Sequence, residues 1–383
     1  MDDWKMKTHR TVRFLLLIFL LAAAFAIYTV FHLPLFRNPT EKKIPTKSSL
    51  NHPVKPTPVL WCIPVSATVN KPTALPCGWL VTDTHGLILS LTETGDIRWQ
   101  ASYSNHVWQA SSVVDNETIC AITRKGKLVL FETITGVIKW SVETEVSCLH
   151  PPLVEMLNQQ RVIILLSQDD GTLVCVNAHD GSFRWRSPAT SRSDGPPIRV
   201  GDFIAYGNCD AAVHLFSITN GCLKGSIQLA EDEQVAGGVL RLTDGRLIVG
   251  TRSGKLAMLD TLRMRCVSRV TVSDSEAFAT PVQIGTNRIF MPVSEGRMTF
   301  WKIEGDRLIA DTGVQLASQF DETCVVDNIF WAIAQHSVYG VRTTDPSHRI
   351  QYELGDNLHG IAPSCFGKTV VIADGELVCV KGF

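Results

Sequence analysis

Gly171-Thr172-Leu173-Val174-Cys175-Val176, then Asp180-Gly181, then Trp185, is the stretch that decides the fold. A turn glycine opens it, an apolar strand follows, a second turn glycine closes that strand, and a tryptophan stands four residues further on. The same pattern recurs at Gly86-Leu87-Ile88-Leu89-Ser90-Leu91, Gly95 and Trp99, and again at Gly126-Lys127-Leu128-Val129-Leu130, Gly136 and Trp140. Upstream of Gly171 come a Pro-containing step at His150-Pro151-Pro152 and the run Arg161-Val162-Ile163-Ile164-Leu165-Leu166. Each unit therefore reads as four short strands joined by tight turns, because glycine accepts the positive φ that such turns need.

The unit recurs about eight times between residues 59 and 383, at a period of roughly 38 to 45 residues. One four-stranded sheet cannot bury both faces, so neighbours must stack. Radial stacking predicts an all-β protein: an eight-bladed β-propeller of four-stranded antiparallel blades. Later copies are weaker. They lie at Asp210-Ala211-Ala212-Val213 with Asn220-Gly221, at Ser253-Gly254-Lys255-Leu256, at Glu295-Gly296-Arg297, around Gln335-His336-Ser337, and at Ala373-Asp374-Gly375-Glu376. The tryptophan is expected to be missing from the fifth unit onward. The last unit stops three residues after its third strand, while Val59-Leu60-Trp61 has the look of a fourth strand ending in tryptophan. Residues 59–64 are thus expected to complete the last blade and close the ring, which removes an exposed strand edge. The repeated Trp61, Trp99, Trp140 and Trp185 are read as packing between blades rather than as a ligand platform.

The chain divides into a basic stub (1–13), an apolar segment (14–36), a Pro/Lys-rich linker (37–58) and the repeats (59–383). The apolar segment carries no charged side chain over 23 residues, enough to cross a bilayer as one helix. Lys5, Lys7, Arg10 and Arg13 precede it, and Arg37, Lys42, Lys43 and Lys47 follow, so flanking charge does not settle orientation. A short basic N-terminus before one span and a long domain suggests a signal-anchor with the domain exported. Ala24-Phe25-Ala26 keeps a cleaved signal peptide as the alternative. The linker, with Pro45, Pro53, Pro56 and Pro58, is expected to act as a semi-rigid spacer.

Residues 1–58 hold nine Lys/Arg and three Asp/Glu, leaving 27 and 34 of the chain's 36 and 37 in the repeats. A mildly acidic region without a basic stripe is not a nucleic-acid binder. The eleven cysteines show no disulfide or zinc spacing. Cys175 and Cys379 occupy the same slot of the repeat, where a small buried residue fits. Gly250-Thr251-Arg252-Ser253-Gly254-Lys255 is one residue short of a phosphate loop and falls on a blade hairpin. Asp169, Asp170, Asp180 and Asp210 belong to turns, where aspartate bonds nearby backbone amides. His150, His179 and His214 lie near turns, and Asn116-Glu117-Thr118 fits a glycosylation sequon. No catalytic or metal-ligating residue is predicted.

The units resemble the quinoprotein-type (PQQ-like) β-propeller repeat, and the resemblance covers residues 59–383, most specifically in the first three units. It implies two branches. The quinoprotein dehydrogenases hold pyrroloquinoline quinone and calcium in an eight-bladed ring. The outer-membrane assembly factor BamB is a cofactor-free ring of similar length that binds proteins. This chain looks more like the second branch, since it has no adjacent cysteines and no long lid-forming insertion. The resemblance implies a non-enzymatic, cofactor-free scaffold that binds protein partners through its interblade loops. The full expectation is a single-pass protein of the bacterial inner membrane, its propeller facing the periplasm. A PQQ- and calcium-dependent dehydrogenase is the alternative.

Overall fold

The computed structural model describes residues 59–383, apart from 67, 275, 278, 365 and 366, together with the backbone of a two-residue strand, Thr46–Lys47. The stub, the expected membrane span at 14–36 and most of the linker lie outside the described residues. No described helix is long and apolar enough to cross a membrane.

The repeats form eight antiparallel four-stranded blades, and seven of them are continuous in sequence. Blade 2 is typical: Trp108–Val113, Thr118–Thr123, Lys127–Glu132 and Ile138–Glu143, from the inside outward. Blade 8 is assembled from both ends of the repeat region. Its inner three strands are His359–Pro363, Lys368–Ala373 and Glu376–Lys381, and its outer strand is Val59–Pro64. The pairing is antiparallel, with Trp61 opposite Cys379 and Pro64 opposite Glu376. Thr46–Lys47 adds a fifth, parallel strand to the outer edge of blade 6 at Gly313 and Val314.

The core is distributed rather than central. Eight apolar clusters among the described residues each span one seam between neighbouring blades. At the closing seam, Trp79, Val81 and Leu91 of blade 1 pack against Val370, Ile372, Leu377 and Cys379 of blade 8. The middle two strands of each blade are nearly all buried because both faces meet neighbours, as Thr118–Thr123 shows. Outer strands alternate between exposed and half-buried. They also carry β-bulges, as between Ile138 and Trp140. A bulge twists an edge strand away from foreign pairing.

Two sequence expectations are corrected. The tryptophan is lost one blade earlier than expected, since the slot of Trp185 is occupied in blade 4 by Gly225. The tryptophans also do not end their strands: Trp99 and Trp140 are third in Ile97–Ser102 and Ile138–Glu143. The bulge in front of them turns the indole toward the next blade.

Candidate functional site

Strand order gives the ring two distinct rims. One rim, here the turn rim, carries the turns between first and second strands and between third and fourth strands. The other, the crossover rim, carries the second-to-third hairpins and the connections between blades. Gly86, Gly126 and Gly171 lie on the crossover rim; Gly95, Gly136, Gly181 and Gly221 lie on the turn rim.

The turn-rim glycines and the tryptophans are two halves of one contact. A Cβ added to Gly136, which sits at φ +72°, would come within 2.5 Å of Trp99 Cδ2. The indole therefore lies flat on the bare backbone of the next blade. It also donates Nε1–H to the Thr133 carbonyl at 2.9 Å. Trp61 repeats this on Gly95 and Glu93, Trp140 on Gly181 and Ala178, and Trp185 on Gly221 and Ile218. Four consecutive seams, from blade 8 to blade 4, are docked in this way. At the next seam the pair is inverted: Gly225 replaces the tryptophan, and Met264 takes the glycine position at φ 51°. A Cβ on Gly225 would meet Met264 Cε at 2.7 Å, so the methionine fills the space that the indole leaves. These residues organise seams and line no cavity at the centre.

Three of the expected cysteine and histidine roles resolve as packing. Cys175 and Cys379 stand opposite Trp185 and Trp61, and burial pushes both thiols up to about 12. The ten described cysteines are all free. His214 is buried, with Nδ1 at 2.7 Å from Ser226 Oγ and Nε2 at 2.8 Å from Asn208 Nδ2. His150 and His179 are on opposite rims. Asp169, Asp170 and Asp210 lie on the crossover rim and Asp180 on the turn rim, so they do not converge. Asp170 and Asp180 each accept from the backbone N–H two residues on. Among the described residues, no group of three or more His, Cys, Asp or Glu could hold a metal ion.

A concavity of about 710 Å³ at the mouth of the central channel, on the crossover rim, has Lys71, His150, Asp194, Glu322 and Cys324 in its wall. Its charges are tied to one another. Lys71 Nζ meets Glu322 Oε1 at 2.8 Å, and Glu322 Oε2 accepts the Gly360 N–H at 2.7 Å. One carboxylate thus joins the inner edges of blades 7, 8 and 1. Burial lowers the Lys71 pKa, but the charge and hydrogen bond of Glu322, together with Cys324, outweigh it and hold the ammonium above its ordinary value. Burial pushes the Cys324 thiol up to about 12, which removes it as a nucleophile near neutral pH.

A second cluster sits around Asp194. Its Oδ1 accepts from Arg192 Nε at 2.9 Å and from Gln168 Nε2 at 3.1 Å, with Arg252 at 3.6 Å from Oδ2. Burial opposes ionisation, yet these donors hold the carboxyl below the usual range. His150 Nε2 lies 2.5 Å from the Asp194 carbonyl, and burial holds that imidazole below the ordinary histidine range. On the turn rim, a cleft of about 530 Å³ between blades 2 and 3 mixes Asp115, Lys139, Arg161, His179 and Asp180. Sequence inspection missed the Lys71–Glu322–Gly360 clasp. Lys71 and Glu322 are 251 residues apart, Gly360 lies further still along the chain, and none belongs to a motif, so only ring closure brings them together.

The geometry defines an eight-bladed propeller whose charges at the channel mouth are paired with one another. Residues 84–239 match the family model described as outer membrane protein assembly factor BamB. BamB from Moraxella catarrhalis superposes with a TM-score of 0.64 at 16% identity, over 85% of this chain and 99% of that chain. The computationally designed Ika8 protein gives a TM-score of 0.66 at 12% identity, over 83% and 97%. The C-terminal WD40 domain of Sif2 gives 0.53 at 10%, over 82% and 81%. No curated protein sequence matches the chain at a significant level. The repeat region is thus a propeller similar in fold to BamB, and residues 84–239 carry the match to its PQQ-like family model.

Proposed function

We propose that the chain is a non-catalytic, protein-binding scaffold of the cell envelope. Residues 14–36 would hold it in the inner membrane as a single-pass signal-anchor, with residues 37–58 as spacer and the propeller in the periplasm. The observation that carries the scaffold assignment is the channel mouth. Lys71 and Glu322 neutralise each other there, whereas a multiply anionic quinone cofactor would call for unpaired cations and a calcium site. The BamB-style fold supports the same assignment at the level of the family. A rigid ring with short rim turns is suited to presenting loops to partners.

In-cell crosslinking of the tagged full chain, followed by mass spectrometry, tests the scaffold. Specific protein adducts on rim residues are the expected result. Robust dye reduction with alcohols or sugars, after reconstitution with quinone and calcium, would overturn the assignment in favour of a dehydrogenase. A reporter fused after Phe383 tests export, and cytoplasmic activity of that reporter refutes it.

A further inference from the structure

Blades 7 and 8 differ at one position of their second strands. Blade 7 is built from Glu322–Val326, Ile329–Ala334, Ser337–Arg342 and Arg349–Glu353. Its Phe330 stands between Val325 and Val341. In blade 8 the same position belongs to Thr369, between Pro363 and Val380. The equivalence follows from the hairpins, since Ala334 pairs with Ser337 and Ala373 with Glu376, each four residues further along its strand. Side chains alternate across a strand, so both residues face the preceding blade. Phe330 is fully buried there and meets Phe290 and Phe320 edge to face, at 5.1 and 5.3 Å. Thr369 shares its face with Val371 and Ala373, which form one apolar cluster with Trp331. A cavity of about 160 Å³ remains where a phenyl ring would stand, with Thr369, Trp331, Ile329, Pro363 and Phe383 in its wall. Thr369 is 0% exposed, and its Oγ1 has no hydrogen-bond partner.

We propose that this cavity is a binding site for one phenolic ring. At the seam of blades 6 and 7 the chain supplies the ring itself; at the seam of blades 7 and 8 a ligand supplies it. An apolar cavity of about 150 Å³ is large enough for benzene. The aromatic wall is held in place. Trp331 and Phe383 cross at 71° with centroids 6.4 Å apart, and Arg342 stands over the Phe383 ring at 5.5 Å. The bare backbone of Gly340 admits Phe383, since a Cβ there would come within 3.1 Å of its Cε2. Such walls favour a third ring, because aromatic groups attract one another edge to face. The threonine then selects phenol over benzene. A buried hydroxyl without a partner is unfavourable, and Thr369 Oγ1 can donate or accept. The cavity opens on the turn rim beside the exposed Asp327, so a phenol that enters oxygen first brings Thr369 its partner. A tyrosine presented by another protein and a free phenol share this chemistry. The site stands whether or not the chain is a scaffold.

The test uses the purified full chain in detergent, labelled with 5-fluorotryptophan, and follows the Trp331 fluorine resonance, assigned by its loss in Trp331→Phe. Titration with p-cresol shifts that resonance. Thr369→Val weakens p-cresol by about tenfold, as expected when a buried polar group is left unpaired, and does not weaken toluene. Partition into detergent is common to both chains and cancels in the ratio. Thr369→Phe fills the space as Phe330 does, so it abolishes both titrations and raises the denaturation midpoint. A midpoint that falls instead, or a Trp331 resonance that p-cresol does not move, refutes the site. Indifference of p-cresol to Thr369→Val refutes the phenol assignment. Phe366 lies three residues before Thr369 in the chain. If p-cresol acts only in Phe366→Ser, the ring is the chain's own and the proposal falls. A photo-crosslinker at Asp327 in cells identifies the source of the ring. Protein adducts that Thr369→Phe abolishes assign it to a tyrosine of a partner; p-cresol binding without such adducts assigns it to a free phenol and counts against the scaffold alone.

Discussion

Trp61→Ala isolates what the closing strand contributes. The indole covers Gly95, donates to the Glu93 carbonyl at 3.0 Å and meets Trp79 edge to face at 5.6 Å. A fully buried Trp→Ala change costs about 3–5 kcal/mol, and Trp61 is only half-buried, which takes the packing loss toward about 2 kcal/mol. The edge-to-face contact adds about 0.5–1.5 kcal/mol, and the hydrogen bond a comparable amount. A loss of about 3–5 kcal/mol follows from these figures. Trp99→Ala is the control, because Trp99 makes the corresponding contacts with Gly136 and Thr133 inside a continuous blade. The two variants should lose similar stability in urea denaturation. They should differ in hydrogen exchange. Only Trp61→Ala should speed exchange throughout Val59–Pro64 and its partner Glu376–Lys381, because that strand is tied to its blade by no hairpin. A loss below about 1 kcal/mol, far under the packing range for such truncations, would refute the closing role. So would unchanged protection of Glu376–Lys381.

Gly136→Ala places a Cβ 2.5 Å from the Trp99 ring at φ +72°, and should cost at least the roughly 1–2 kcal/mol of left-handed strain, measured by the denaturation midpoint. The inverted pair predicts a coupled cycle: Gly225→Trp and Met264→Gly each destabilise alone, and the double variant recovers about 1–3 kcal/mol of interaction energy. Burial holds His106, His150 and His214 below the ordinary histidine range. The unfolded chain therefore takes up protons first, so stability is full above about pH 7 and falls as pH drops through the unfolded value of about 6.5. Denaturation midpoints between pH 8 and 5 check this, and replacing all three with Gln should flatten that limb. Glu322→Gln keeps the acceptor for Gly360 but weakens the pair with Lys71, and should raise exchange at the inner strands of blades 7 and 8 more than elsewhere.

Much of this architecture was legible in the chain itself. Glycine and tryptophan at fixed spacing are local signals: the turn needs a positive φ, and the indole needs a bare backbone to lie on. Residues 86–185 therefore declare blades 1 to 3, and the truncated last unit with Trp61 points to the closing strand. The weaker blades were harder because packing there uses other means. Met264 opposite Gly225 does the work of Trp opposite Gly with neither signature residue in place, so nothing in the repeat marks it.

The candidate site was not legible at all. Lys71, Glu322 and Gly360 meet only because blade 8 is built from both ends of the repeat region, which converts a separation of 251 residues into a 2.8 Å contact. The exposure of apolar residues on the outer strands is likewise a tertiary fact. Sequence alone shows Ile97, Ile138, Phe183 and Leu223 as further apolar residues in apolar strands. Whether such a residue is core or surface depends on whether another blade covers it, and that is decided by the ring. The sequence by itself determined the repeat, the strand order and the place where the circle closes, because these follow from turn chemistry and local periodicity. Only the tertiary structure decided which charges pair across the channel and which apolar side chains remain uncovered, because both depend on contacts between blades distant in sequence.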